Sequence, residues 1–474
     1  MSQWLPIADM DHDVQTGQLH ATELVERSLR IIRENADYKA VISLTDKRAR
    51  QRASAIDEQV KKGKPVGRLA GVPFIAKDNF LAYGADTTAA STMLKGFDAP
   101  YQASAIERLE AEGAICVAKA NLDAFAHGSS TENSDYFTTH NPHDKSRVPG
   151  GSSGGSATAV VLQMAPFALG TDTGGSIRQP ASFTGSFGYK PTYGLISRSG
   201  VVAMASSTDT IGALANSVDD LGLVIDVMAG KDVLDSTTIE RDSQGYTHLT
   251  SQLKGKRIGL IKEYMGEGVE PGVLHVVNHA VEQLKKAGAT IEEISLPSLP
   301  LVLAVYYIIV PAEISSNLSR YDGQRFGYAY KTAKTLSDSY EKSRGHGFGY
   351  EAKRRIMIGT YVLSSGYYDA YYKKAQTVRT MLIEEFTAAF KQVDYLAGPV
   401  APTTAFQIGA NTSNPLNMYL TDIMTVAANL TGIPAISIPA GVSNKLPVGL
   451  QLMAAPKQDR ALLIAAKSAE QVLV

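Results

Sequence analysis

Cysteine occurs once in this 474-residue chain, at Cys116. A disulfide framework is thereby excluded, as is a metal cluster built on cysteine. One cysteine fits a reducing compartment, and Cys116, inside the apolar run AICVAKA, reads as a buried small side chain. Neither charge is in excess: 46 Lys and Arg stand against 47 Asp and Glu, a formal net charge of −1. A nucleic-acid groove or a membrane-binding surface would carry a basic excess. Long hydrophobic runs are missing too. The most apolar window, LVLAVYYIIV (301–310), is too short to span a bilayer and lies between Pro300 and Pro311, so it predicts a buried helix. The opening residues MSQWLPIADMDHD carry Asp9, Asp11 and Asp13 and no basic region ahead of an apolar stretch, unlike a signal peptide. Together these absences predict a cytoplasmic protein without membrane contact.

What is present is ample core material, 44% hydrophobic residues, and a repeated alternation of helix and strand signals. ATELVERSLRIIRENA (21–36) and KRARQRASAIDEQVKKGK (47–64) have helical spacing. RLAGVPFIAKDNF (68–80) reads as a turn entering a short buried strand. SAIERLEAEGAICVAKANLD (104–123) and GSATAVVLQMAPFALGTD (155–172) each read as helix then strand. SVDDLGLVIDVMAG (217–230) is a helix with a serine N-cap and a closing glycine. Residues 231–256 are polar and irregular. A strand (257–264), a helix and strand (273–297), two paired strands (435–441 and 447–454) and a last helix follow. This order predicts an α/β fold, with a large mixed central sheet covered by helices on both faces. The expected organisation is one domain over 1–474: a helical N-terminal part (about 1–65), a core (about 66–230) and a C-terminal part (about 257–474) completing the sheet and a substrate pocket.

The stretch VPGGSSGGSA (148–157) resembles a flexible linker, yet it leads at once into an apolar helix and strand, which places it in a folded core. Gly150 and Gly155 have the spacing of a phosphate loop, but Ser156 and Ala157 replace its Lys and hydroxyl residue. Gly151-Ser152-Ser153-Gly154-Gly155 also matches G-x-S-x-G, but the preceding NPHDKSRVPG is no central strand. A second loop, GTDTGGSIRQP (170–180), follows a strand and opens a predicted helix, putting Ser176 at a helix N-terminus. The amides of Thr173, Gly174, Gly175 and Ser176 would converge there on an oxyanion. A serine nucleophile needs a base. No histidine is near in sequence, but a buried, neutral lysine can serve. Lys77, in FIAKDNF, is a cation in an apolar setting; alone it would equally suit a strand-end lysine reaching solvent.

At GVPFIAKDNF (71–80), VPGGSSGGSA (148–157) and GTDTGGSIRQPASFTGSFGYKPTYG (170–194) the sequence resembles the amidase signature family. The resemblance runs from about residue 20 to 465. It implies the amidase signature fold and a Ser–cis-Ser–Lys triad: Ser176 as nucleophile, Ser152 as the bridging serine in a cis peptide after Gly151, and Lys77 as base. Ser153, Asp172 and Arg178 match positions that brace the loops. Within the family, GSSTENS (128–134), SSNLSRYDGQRFGY (315–328), KRRIMIGTYVLSSGYYDAYYKKAQTVR (353–379) and GPVAPTTAF (398–406) are most similar to the glutaminase subunits of tRNA-dependent amidotransferases. By that match Arg355 would take the α-carboxylate of glutamine and Asp422 its α-ammonium, with Tyr306, Gly128 and Ser129 on the pocket wall. Without the match, Arg355 and Asp422 would read as solvent-facing helix charges. The resemblance further implies a heterotrimer with B and C subunits, in which misacylated tRNA and ATP with Mg2+ are handled by the partner subunit. It implies no cofactor or metal bound by this chain.

The chain departs from the family's usual residues at His127, where a methionine is more common, in SFTGSFGYKPT after the nucleophile, and in TVAANLTG (425–432), which lacks a common proline. His275 and His279, spaced i, i+4, lack the Glu of a zinc-protease motif and read as surface residues. His140 and His143 flank a proline turn and read as structural. Two further readings compete: a free-standing amidase for small aliphatic or aryl amides, which needs neither Arg355 nor Asp422, and a non-catalytic scaffold, against which the intact Lys77, Ser152 and Ser176 argue.

Overall fold

The computed structural model describes residues 3–412 and 414–474. Eleven strands form one sheet: β1 (Val41–Leu44), β2 (Pro73–Lys77), β3 (Ile115–Ala120), β4 (Phe167–Asp172), β5 (Phe187–Lys190), β6 (Thr210–Ala215), β7 (Arg257–Ile261), β8 (Thr290–Ile294), β9 (Tyr395–Pro399), β10 (Ala435–Ser443) and β11 (Leu446–Met453). Their order across the sheet is β1-β3-β2-β4-β6-β5-β10-β11-β9-β7-β8. The sheet is mixed. β3, β2 and β4 run parallel, as do β8, β7 and β9, while the pairings between these blocks are antiparallel.

Side chains alternate between the faces of a strand, so a strand buried at every position has both faces covered. β2, β3, β4, β5, β6, β9 and β11 are all buried throughout. The surface is reached at the rims, where β1 is half-buried and β8 has exposed positions, and also at Arg257 of β7 and the last residues of β10. This is the covered mixed sheet the alternating pattern predicts. β1, β5, β6 and β9 are additions to the predicted strands. β1 lies in a stretch between the two predicted N-terminal helices; its antiparallel pairing with β3 supplies the ladder that a four-residue segment cannot form alone.

Helices fall where apolar spacing put them, at Ala21–Glu34, Asp46–Lys61, Ser104–Ala111, Gly154–Val161, Val218–Met228, Pro271–Lys286 and Asp459–Leu473. Ser217 caps its helix as expected, its hydroxyl accepting from the Asp220 amide at 3.1 Å. The strand read over 257–264 ends at Ile261, and one helix boundary differs by several residues. The apolar window at 301–310 does not stop at Pro311: the helix runs from Val302 to Asn317 with the proline inside it. With its flanking turns, the segment Leu299–Arg320 is long and apolar enough to cross a membrane by length and composition. Here Val302, Ile309, Val310 and Ile314 are fully buried, and the helix packs on Tyr350–Val362 and Lys374–Gln392. That packing outweighs the hydrogen bond a proline removes from a helix interior. His275 and His279 are exposed. His143 holds the Thr184 carbonyl at 2.7 Å, and His140 that of Lys145 at 2.7 Å, both structural bonds.

Candidate active site

Parallel strands β2 and β4 are neighbours, with Ala76 opposite Leu169. Their carboxyl ends therefore deliver Lys77 and Thr171 to one place, as open α/β sheets commonly do at their sites. Lys77 is fully buried (0% exposed), so it is not a strand-end lysine reaching water. Its Nζ donates to Ser152 Oγ at 2.8 Å and Thr171 Oγ1 at 2.9 Å. Burial lowers its pKa to about 7, although Asp123, Asp172 and Asp209 act in the opposite direction. A neutral amine in hydrogen bond with a serine hydroxyl has the chemistry of a general base.

The Gly/Ser stretch is a close-packed loop, not a tether. The Gly151–Ser152 peptide is cis. A Cβ on Gly151 would lie 2.2 Å from Asp123 Oδ2 and 2.6 Å from the Ser130 nitrogen, so no side chain fits there. The Gly151 amide donates to Gln179 Oε1 at 2.9 Å, and Gln179 Nε2 donates to the Ser129 carbonyl at 3.0 Å. Ser152 and Ser153 are fully buried. Ser153 braces both loops: its amide donates to the Ser176 carbonyl at 3.1 Å and its hydroxyl to the Thr171 carbonyl at 3.2 Å. Ser176 thus sits against the Ser152 loop and keeps 9% of its surface exposed, unlike the other two. No hydrogen bond joins the Ser152 and Ser176 hydroxyls among the described residues.

Ser176 is not at a helix N-terminus as expected. The helix starts two residues later, at Arg178. The intervening turn is folded around Asp172, whose carboxylate accepts from the amides of Gly175 (2.8 Å), Ile177 (3.2 Å) and Arg178 (3.4 Å). Of the four amides expected to face an oxyanion, Gly175 is therefore already engaged; those of Thr173, Gly174 and Ser176 carry no such bond. Arg178 clamps the same carboxylate through Nε at 3.0 Å and Nη2 at 2.9 Å, with further bonds to Gln451, Asn429 and the Thr425 carbonyl. Burial alone would raise the Asp172 pKa, but Arg178 brings it down to about 2. Gly174 lies against Tyr306: a Cβ there would be 2.6 Å from the phenol oxygen.

A cavity of about 210 Å3 opens beside these loops, lined by Asp123, His127, Gly128, Glu351, Arg355 and Tyr419, among others. Ser176, Tyr306 and Asp422 are not among its walls. Arg355 is 3% exposed and Asp422 7% exposed, so neither is a solvent-facing helix charge. Arg355 Nε donates to Glu351 Oε1 at 2.8 Å, and its guanidinium lies 5.4 Å from the Tyr307 ring centroid and 5.8 Å from that of Tyr419. Burial opposes the charge on Arg355, but Tyr307, Glu351 and Tyr306 outweigh it and raise its pKa. Asp422 accepts from the Ser129 hydroxyl at 2.6 Å; burial raises its pKa to about 7, against the pull of Ser129 and Arg355.

Sequence reading missed four residues here. Thr171 lies in the GTDTGG stretch, but its bond to Lys77 is a product of sheet register. Asp123 organises the 128–133 loop, accepting from the amides of Thr131 (2.9 Å) and Asn133 (3.1 Å); burial raises its pKa to about 6. Gln179 ties the two loops together. Glu351 carried a signal, lying four residues before Arg355 on one helix. Among the described residues no group of three or more His, Cys, Asp or Glu is placed to hold a metal ion.

A buried lysine–serine pair beneath a glycine-rich turn, on a mixed α/β sheet, is the framework of an amide hydrolase. The model of the Amidase family matches residues 23–463, and the chain belongs to that family. It is 50% identical over 451 residues to the A subunit of the glutamyl-tRNA(Gln) amidotransferase of Caldanaerobacter subterraneus subsp. tengcongensis, covering 95% of this chain and 92% of the relative. The counterpart in Geobacillus thermodenitrificans is 49% identical, covering 94% and 93%. Among solved structures, the glutamyl-tRNA(Gln) amidotransferase A subunit of Thermotoga maritima superposes with a TM-score of 0.80 at 39% identity, covering 95% of this chain and 91% of that one.

Proposed function

We propose that this chain is the glutamine-hydrolysing component of a glutamyl-tRNA(Gln) amidotransferase. The observation that carries the reading is the fully buried Lys77, its Nζ 2.8 Å from Ser152 Oγ, with a buried cation and a buried carboxylate, Arg355 and Asp422, nearby. Identity of 49–50% with the amidotransferase relatives over most of the chain supports it.

In this reading neutral Lys77 takes the proton of Ser152, and Ser152 takes that of Ser176. The transfer needs the two serine hydroxyls to come into hydrogen bond, a contact that often tightens only with substrate bound. Ser176 attacks the side-chain amide carbon, and the amides of Thr173, Gly174 and Ser176 hold the oxyanion; Gly175 would join only by sharing its hydrogen with Asp172. The Ser152–Lys77 relay returns a proton to the leaving nitrogen, releasing ammonia and leaving a glutamyl ester on Ser176. Water, activated by the same relay, cleaves the ester to glutamate. Arg355 pairs with the α-carboxylate of glutamine and Asp422 with its α-ammonium, with Tyr306, Gly128 and Ser129 shaping the pocket. Ser153, Asp172 and Arg178 hold the loops in place.

The ammonia would pass to a B subunit that binds misacylated tRNA and uses ATP and Mg2+, within a cytoplasmic heterotrimer completed by a C subunit. The near-neutral charge of this chain suits a component that leaves tRNA to its partner. Reconstitution tests this. With B and C subunits, ATP and glutamine, Glu-tRNA(Gln) is converted to Gln-tRNA(Gln), and Ser176→Ala abolishes conversion with glutamine but not with added ammonia. Loss with both donors would contradict the assignment.

A further inference from the structure

His127 takes no part in this relay. Its ring is fully buried, and neither Nδ1 nor Nε2 has a hydrogen-bond partner among the described residues. Buried polar groups are rarely left so, because they lose hydrogen bonds to water without replacement. The backbone around it is fixed: its N–H donates to the Ala124 carbonyl at 3.1 Å, and its carbonyl accepts from Asn133 Nδ2 at 2.8 Å. The ring packs beside Phe125, with centroids 6.2 Å apart. It lines the same cavity as Arg355, Gly128 and Glu351. Arg355 commits Nε to Glu351, while its Nη1 and Nη2 make no hydrogen bond to a described residue. Two side chains with unused donors therefore line one small space. Burial, and then the charge of Arg355, press the His127 pKa well below its ordinary value. The ring thus offers one N–H and one acceptor nitrogen, and it adds no like charge beside the guanidinium.

We propose that His127 is a specificity-determining residue that donates a hydrogen bond to the substrate's α-carboxylate alongside Arg355. This rests on the glutamine reading of the site. Arg355 supplies the charge, and the rigidly held imidazole fixes the direction from which the carboxylate is met. Bonds to an ionised acceptor are the stronger kind, so the contribution depends on that carboxylate.

The test measures kcat and KM in the full-length chain for L-glutamine and for 4-aminobutanamide, which is glutamine without its carboxylate. His127→Met is expected to raise KM for glutamine roughly 10- to 100-fold, with kcat little changed and with 4-aminobutanamide unaffected. His127→Gln, which keeps a side-chain donor, is expected to recover most of the loss. If the methionine variant does not fold, His127→Phe repeats the test with a ring lacking nitrogen. An unmoved KM for glutamine, or an equal rise for both substrates, would overturn the assignment and leave the glutamine reading standing. A wild-type chain that ignores glutamine but hydrolyses 4-aminobutanamide would overturn that reading, and the assignment with it.

Discussion

Two groups in the site must lose a proton before the proposed reaction can run. Lys77 must be neutral to act as a base, and Asp422 must be ionised to hold the α-ammonium. Burial brings both to the same range, Lys77 down to about 7 and Asp422 up to about 7. The dependence of kcat/KM on pH reports such groups in the free enzyme. Above pH 8 both are in the working form. At pH 6 each is deprotonated in about one molecule in ten, so kcat/KM for glutamine should fall about 100-fold from its plateau. The acid limb should therefore approach a slope of 2 in a plot of log kcat/KM against pH. Asp422→Asn removes one of the two protons. It should lower the plateau roughly 10- to 100-fold, the worth of a charge-assisted contact, and reduce the limb to a slope of 1. The assay is ammonia release from L-glutamine between pH 5.5 and 8.5 at constant ionic strength. A wild-type slope of 1, or an Asp422→Asn slope equal to wild type, would refute the assignment of paired ionisations.

Other perturbations have distinct expected outcomes. Lys77→Arg cannot be neutral near pH 7; turnover should fall at least about 1000-fold while the melting temperature reports a folded chain. Arg355→Met should raise KM for glutamine about 100-fold and spare a simple aliphatic amide, as steady-state kinetics on both substrates would show. Arg178→Met leaves Asp172 buried without its guanidinium. Unfolding by urea should register a loss of about 3–5 kcal/mol, with the Asp172 pKa rising from about 2. In the wild type that pKa lies below the unfolded value, so the stabilisation is complete above about pH 4 and lost as pH falls through about 2. Gly151→Ala would place a methyl 2.2 Å from Asp123 Oδ2; the loop must shift, and glutamine hydrolysis should drop by more than tenfold.

The residues that bear the proposed chemistry were readable because they lie in short contiguous motifs, at the end of β2 and in two loops, that carry the family resemblance. Lys77, Ser152 and Ser176 each sit in a short motif whose glycines and neighbours mark it. Many helices were readable from apolar spacing and several strands from short apolar runs bounded by turn residues, whereas β1, β5, β6 and β9 were not. What sequence alone did not yield depends on register and on contact between distant segments. Thr171 reaches Lys77 only because β2 and β4 are neighbours. Asp123 draws in amides 7–10 residues further on by folding a loop around its carboxylate. Asp172 takes up the Gly175 amide, one of the four expected to face an oxyanion, together with those of Ile177 and Arg178. Pro311 reads as a helix boundary, yet the packing of Val302–Asn317 carries the helix through it. The orphaned ring nitrogens of His127 belong to the assembled cavity, and no local motif announces them.

The most direct measurement is ammonia release from L-glutamine against propionamide, by the chain alone and with B and C subunits, beside Ser176→Ala. Glutamine-selective release that needs Ser176 and rises with the partners is predicted. Good turnover of propionamide with glutamine ignored, or release that persists in Ser176→Ala, would contradict the account.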